Sequence, residues 1–153
     1  MNIYNISERL EYLDEICSLT VEEWGRYNSE AEFELKVSKT KKKILDNLTD
    51  KYYCKLILLD GDKLVGFISI FPTDCDERCD LSPWYATMYV KKEYRGKGYS
   101  KVLNDAILDE AKRRGFSKIY LKSNLINYYE KFGAVYMDNL NNGEKLYYID
   151  LKK

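Results

Sequence analysis

The sequence predicts an α/β domain built on a mixed sheet, and three observations carry that prediction. Runs rich in β-branched and aromatic residues, at 52–59, 64–71, 84–90 and 146–151, have strand length and are bounded by turn residues. Between them lie stretches whose apolar residues recur three and four apart, the spacing of one helix face. The 153 residues, 45% hydrophobic and 33% charged, describe one folded domain over 1–153 with chain enough for a sizeable core. Lys plus Arg total 25 and Asp plus Glu total 25, so no global field draws the chain to nucleic acid or to an anionic membrane. No apolar run approaches membrane-spanning length and no basic-then-apolar leader opens the chain. The cytoplasm is the expected compartment.

A short apolar piece at 3–6 forms the first strand. Ser7-Glu8-Arg9-Leu10 then has the pattern of a helix cap, with Leu10, Leu13, Ile16 and Cys17 on one face and Gly25 stopping the helix after Trp24. A second helix is read over 30–48, carrying Phe33, Val37, Ile44 and Leu45, and its run Lys39-Thr40-Lys41-Lys42-Lys43 reads as a solvated face. A hairpin follows, 52–59 and 64–71 about the turn Asp60-Gly61-Asp62-Lys63. After a polar loop, Pro83 opens the strand 84–90. Tyr99, Val102, Leu103, Ala106, Ile107 and Ala111 mark the face of a third helix, capped at Gly115 and followed by a strand at 117–121. A fourth helix is read over 124–132, ending at Gly133. Strands at 135–137 and 146–151 then pair across Asn139-Leu140-Asn141-Asn142-Gly143. The order is β-α-α-β-β-β-α-β-α-β-β.

The stretch Tyr94-Arg95-Gly96-Lys97-Gly98-Tyr99-Ser100-Lys101 joins a strand to a helix start. Such a start leaves backbone N–H groups unpaired and carries partial positive charge, so it holds an anion. Gly96 and Gly98 let the backbone come close to a ligand, and Arg95, Lys97 and Lys101 add charge. A phosphate or diphosphate cradle is the physical reading; a glycine turn before an ordinary helix is the plain one. The Walker spacing is absent. The dinucleotide fingerprint needs a third glycine where Lys101 stands, and an acidic residue that 117–123 does not contain. Coenzyme A is the remaining class. Arg95-Gly96-Lys97-Gly98-Tyr99-Ser100 resembles the (Gln/Arg)-x-x-Gly-x-(Gly/Ala) signature of the GNAT acetyltransferase superfamily, with Ser100 in the last small position.

Leu121-Lys122-Ser123-Asn124-Leu125-Ile126-Asn127-Tyr128-Tyr129-Glu130-Lys131-Phe132-Gly133-Ala134 is similar to the second signature of that superfamily, and the resemblance extends over 63–151. It implies a GNAT-like mixed, mostly antiparallel central sheet flanked by helices, with acetyl-CoA as cosubstrate. It further implies that the main chain of Met88, Tyr89 and Val90 faces the pantetheine arm and the reacting carbonyl. Tyr129 matches the general acid that protonates the departing thiolate, and Asn124 either binds the cofactor arm or caps its helix. Packing as a helix-terminal aromatic is the alternative for Tyr129.

No histidine is present, so the base must be sought among carboxylates: Glu22, Glu23 or Asp80, each of which also reads as a surface acid. Trp24, Tyr27, Trp84 and Tyr85 fall in the segments that line the acceptor site in the superfamily, and aromatic faces with carboxylates suit a cationic amine. The four cysteines, Cys17, Cys54, Cys75 and Cys79, fit reduced thiols; without histidine a zinc site at Cys75 and Cys79 would need cysteines from distant segments or carboxylates, and a structural or incidental role is expected. The expected activity is acetyl transfer from acetyl-CoA to a small-molecule amine, by a monomer or homodimer that uses no metal and binds neither nucleic acid nor membrane. Protein acetylation at lysine or an N-terminus is the alternative within enzymes, and a coenzyme A-binding module without turnover the alternative outside them.

Overall fold

The apolar runs that follow the second helix lie at the centre of the molecule. In the computed structural model, which describes residues 1–152, Cys54–Asp60 (β2) and Lys63–Phe71 (β3) are buried along nearly their whole length, as strands covered on both faces must be. Their alternate side chains feed two cores. Leu56, Leu58, Val65, Ile68 and Ile70 meet Leu103, Ile107 and Ala111 of α3 (Tyr99–Arg113) on one side. Ile57, Leu59 and Phe67 meet Leu13, Ile16 and Cys17 of α1 (Leu13–Trp24) and Ile44 of α2 (Glu30–Asp46) on the other.

Around this pair stand β1 (Asn2–Asn5), β4 (Trp84–Val90), β5 (Lys118–Ser123), β6 (Ala134–Asn139) and β7 (Lys145–Asp150). Among the described residues they form one seven-stranded sheet in the order β1-β2-β3-β4-β5-β7-β6. Every pairing is antiparallel except β4 with β5. The mixed, mostly antiparallel sheet flanked by helices is thus the architecture the sequence implied.

Two expectations need correction. The segment 124–132 is not an α-helix; only a 3₁₀ turn at Tyr129–Phe132 forms. Asn127 is left-handed at φ 57°, the Leu125 N–H bonds the Ser123 hydroxyl at 3.0 Å, and Ile126 is 78% exposed. A helix here would have local competition and little buried face to stabilise it. The first cap sits at Asn5, not Ser7: Asn5 accepts from the Ser7 N–H at 3.0 Å while Glu8 accepts from the Asn5 N–H at 3.1 Å. The cap opens a 3₁₀ turn, and regular helix begins only at Leu13. Leu45, grouped with the apolar residues of the second helix, is exposed, and Ile44 is the buried residue of that helix.

Two features of β4 shape the site. Its register with β3 breaks between Phe67 and Ser69, whose partners are Tyr89 and Ala86, so Thr87 and Met88 bulge opposite Ile68. Gly66 fits beside this bulge because a Cβ there would lie 2.3 Å from the Tyr89 carbonyl oxygen. On its other edge, β4 meets β5 only at Trp84 and Tyr120, and beyond that rung the two strands part.

Candidate functional site

Two cavities open where β4 bulges and parts from β5. The first, about 400 Å³, lies against the end of β4 and the start of α3 and is lined by Met88, Tyr89, Val90, Tyr94, Arg95, Gly96, Gly98, Tyr99 and Ser100. Glu23 and Tyr128 close it. The second, about 450 Å³, is lined by Tyr85, Ala86, Thr87, Met88, Leu121 and Tyr129, with Trp24, Asp74, Lys122 and Glu144 at its walls. Met88 belongs to both, so the two spaces meet at the bulge.

The first cavity has the character of an anion cradle. Gly98 is the residue before α3 and holds φ 85°, a left-handed conformation open to glycine and strained for branched side chains. No side chain caps this helix and no acid stands in its first turn, which leaves its opening amides and partial positive charge for a ligand. Gly96 is left-handed as well, at φ 75°. The Arg95 Nε donates to the Val90 carbonyl at 2.7 Å, which braces the loop against β4. Lys97 and Lys101 do not line the cavity; the Lys101 ammonium pairs with Asp105 at 2.6 Å. These features fit the diphosphate and arm of coenzyme A: the uncapped helix start suits the charge, and beside it runs a β4 edge without a strand partner beyond Trp84.

The second cavity carries the groups suited to proton transfer. Tyr129 packs edge-on against Tyr85, ring centroids 5.7 Å apart, and burial, then the neighbouring Tyr128, pushes its phenol up to about 12. It therefore holds its proton at neutral pH. The Tyr85 hydroxyl is buried and has no hydrogen-bond partner among the described residues, and burial raises its phenol further. Burial lifts the Asp74 carboxyl to about 6, with Lys122 pulling it down and Glu144 pushing it up. A cation entering this space meets two acids, Asp74 and Glu144, and the Trp24 and Tyr85 rings.

Of the sequence candidates, Met88, Tyr89, Val90, Arg95, Gly96, Gly98, Tyr99, Ser100 and Tyr129 converge on this pair of cavities. Asn124 does not: it is exposed in the irregular segment after β5, with no helix to cap. Glu22 is exposed and lines neither space, and Glu23 faces the first cavity. Asp80 is held by Arg78 at 3.0 and 2.9 Å, which lowers its carboxyl. Trp84 is fully buried in the core, and Tyr27 meets Phe33 edge-on, ring centroids 4.9 Å apart. Cys75 is buried and Cys79 exposed, both as free thiols. Sequence reasoning missed Asp74, Thr87 and Glu144. Asp74 and Glu144 come from loops, and nothing in the sequence marks Thr87 as a bulge residue.

Comparison with known proteins agrees with the fold. A model described as the acetyltransferase (GNAT) family matches residues 13–134. N-alpha-acetyltransferase 30 of Schizosaccharomyces pombe is 33% identical over 82 residues, 50% of this chain and 54% of that protein, so the chain spans about half the length of this curated relative. An aminoglycoside 6'-N-acetyltransferase solved with coenzyme A superposes with a TM-score of 0.75 at 16% identity, covering 100% of this chain and 98% of the other. A variant of the spermidine N-acetyltransferase SpeG from Vibrio cholerae gives 0.72 at 19% identity, over 100% and 96%. At these identities the two structures show a shared fold.

Proposed function

Because the chain belongs to the acetyltransferase (GNAT) family, we propose that it moves an acetyl group from acetyl-CoA to a primary amine of a small molecule by direct transfer, with Tyr129 as general acid. The single observation that carries this reading is the meeting of an anion cradle and an acid-walled aromatic cavity at Met88. Acetyl-CoA supplies an activated thioester. On this reading the opening amides of α3 grip its diphosphate, and the main chain of Met88, Tyr89 and Val90 runs beside its arm and donates to the carbonyl oxygen as charge gathers there. Tyr129 hands its proton to the departing sulfur; the transfer is uphill in water and becomes useful where water is shut out. No cysteine lines either cavity among the described residues, which favours direct transfer over an acyl-enzyme.

Asp74 and Glu144 favour a small cationic acceptor, and the solved neighbours named for aminoglycosides and spermidine point the same way. Acetylation of a peptide N-terminus is the second reading, favoured by the name of the curated relative. We further read 1–153 as one such domain, acting as a monomer or homodimer in the cytoplasm; the free thiols suit a reducing compartment. The test is mass spectrometry of products after incubation with acetyl-CoA and a panel of spermidine, kanamycin and a peptide with a free N-terminus. Acetylated spermidine or kanamycin supports the first reading and acetylated peptide alone the second. No product at all, with coenzyme A still bound in calorimetry, would leave a binding module and sink both.

A further inference from the structure

We propose that Lys55, Ser69 and Thr87 form a proton line that opens into the acceptor cavity and takes up the proton an ammonium must lose before it attacks. The inference rests on the acetyl-transfer reading and supplies the base that reading lacks. Lys55 is the second residue of β2 and stands opposite Ser69 of β3, and the two are 2% and 0% exposed. The Lys55 Nζ lies 2.5 Å from the Ser69 Oγ and 3.4 Å from the Thr87 Oγ1, and the two hydroxyl oxygens are 2.6 Å apart. Thr87 is the outer end: it lines the acceptor cavity from the bulge. Its φ of 48° is a conformation β-branched residues rarely adopt, and such strain gathers where function needs it.

The surroundings keep a neutral amine within reach. Burial brings the Lys55 ammonium down to about 8; Cys17 from α1 and Cys54 on its own strand oppose the shift, and Lys43 from α2 adds to it. Both thiols are themselves pushed up to about 11 by burial and stay neutral. The rings of Phe67 and Phe71 also lie close, their centroids 5.0 and 5.6 Å from the ammonium. Among the described residues no carboxylate pairs with Lys55. A carboxylate wall has the opposite effect on the acceptor, since it holds an ammonium charged. Asp74, near 6, is also a weaker base than an amine near 8.

The step balances without another reactant. The ammonium N–H breaks toward the Thr87 Oγ1, the Thr87 proton passes to the Ser69 Oγ, and the Ser69 proton passes to the Lys55 Nζ. The freed lone pair forms the N–C bond as the C–S bond breaks. The second nitrogen proton replaces the one Tyr129 gave to sulfur. Once product leaves, Lys55 returns its proton along the same path to water in the cavity. Thr87 is the contact with substrate, and Lys55 acts through it.

Lysine ε-carbon NMR of the whole chain reads the inner end without substrate, with the Lys55 signal assigned by its loss in Lys55→Met. A midpoint near 8 is expected; one at the ordinary lysine value of about 10.4 overturns the proposal. Rates across pH with spermidine and kanamycin read the outer end. Thr87→Val is expected to lower kcat/KM about ten-fold or more at neutral pH and to shift the alkaline rise of the profile, while Thr87→Ser, which keeps the hydroxyl, stays close to the unaltered chain. Ser69→Ala, which leaves the bulge alone, carries the same expectation as Thr87→Val and decides the matter should Thr87→Val lose coenzyme A in calorimetry. An active parent whose Ser69→Ala and Thr87→Val variants keep its rate and profile sinks the proton line alone. A parent that acetylates nothing sinks the acetyl-transfer reading and this one with it.

Discussion

On the proposed mechanism Tyr129 and Gly98 bear on the chemistry through different properties, one through its hydroxyl and the other through the absence of a side chain. Tyr129→Phe keeps the ring against Tyr85 and removes only the acid, so kcat should fall about a hundred-fold with coenzyme A affinity unchanged in calorimetry. The same phenol reports in alkali. Its folded value near 12 stands above the unfolded value of about 10, so its contribution is complete below pH 10 and is lost as pH climbs toward 12. Urea melts at rising pH should show the parent losing up to about 2 kcal/mol more than Tyr129→Phe across that window. At Gly98 a Cβ would meet nothing within 4 Å, so the demand is purely for φ 85°. Gly98→Val should therefore cost about 1–3 kcal/mol and weaken coenzyme A binding, whereas Gly98→Asn should cost less, because Asn visits the left-handed region. The glycines of the cradle were legible in the sequence because backbone conformation leaves a residue-type mark. Lys55 was not, although its one sign was in plain view: a charge at a buried position of the strand Cys54–Asp60, whose other charge, Asp60, is at its exposed end.

Elements differ in how firmly tertiary contacts hold them. The C-terminal end of α3 is tied down by Arg114, whose guanidinium donates to the carbonyls of Asp50, Lys51 and Tyr53 at 3.2, 2.9 and 2.9 Å and pairs with Glu110 at 2.9 Å. Arg114→Met should lower stability by about 2 kcal/mol, and Arg114→Lys should recover little, since a single ammonium cannot serve that fork of acceptors. Helix α2 is the opposite case, with Ile44 as its buried residue and Ser29 accepting from the Glu32 N–H at 3.1 Å as its cap. Ser29→Ala should cost about 1 kcal/mol, visible as faster hydrogen exchange confined to α2. The three α-helices were legible from their periodicity. The segment 124–132 shows the limit of that signal: Leu125, Tyr128, Tyr129 and Phe132 have helical spacing, yet Ile126 faces solvent and Asn127 turns left-handed. Over nine residues, spacing alone does not outweigh a poor burial face.

Across the whole molecule, the site arises from segments far apart in the chain. Asp74 precedes β4, Glu144 precedes β7, and Tyr129 follows β5, yet all three line one cavity. Sheet order brings them together, which explains why the cradle, a local motif, was readable and the acid wall was not. The parting of β4 from β5 beyond Trp84 and Tyr120 has a mechanical side as well. Two leaves joined by one rung resist sliding but permit a small rocking, like covers on a spine. An extended guest lying along the free edge of β4 would stiffen that seam without touching the rung. Saturating coenzyme A should accordingly slow amide exchange in β5, which lies across the gap.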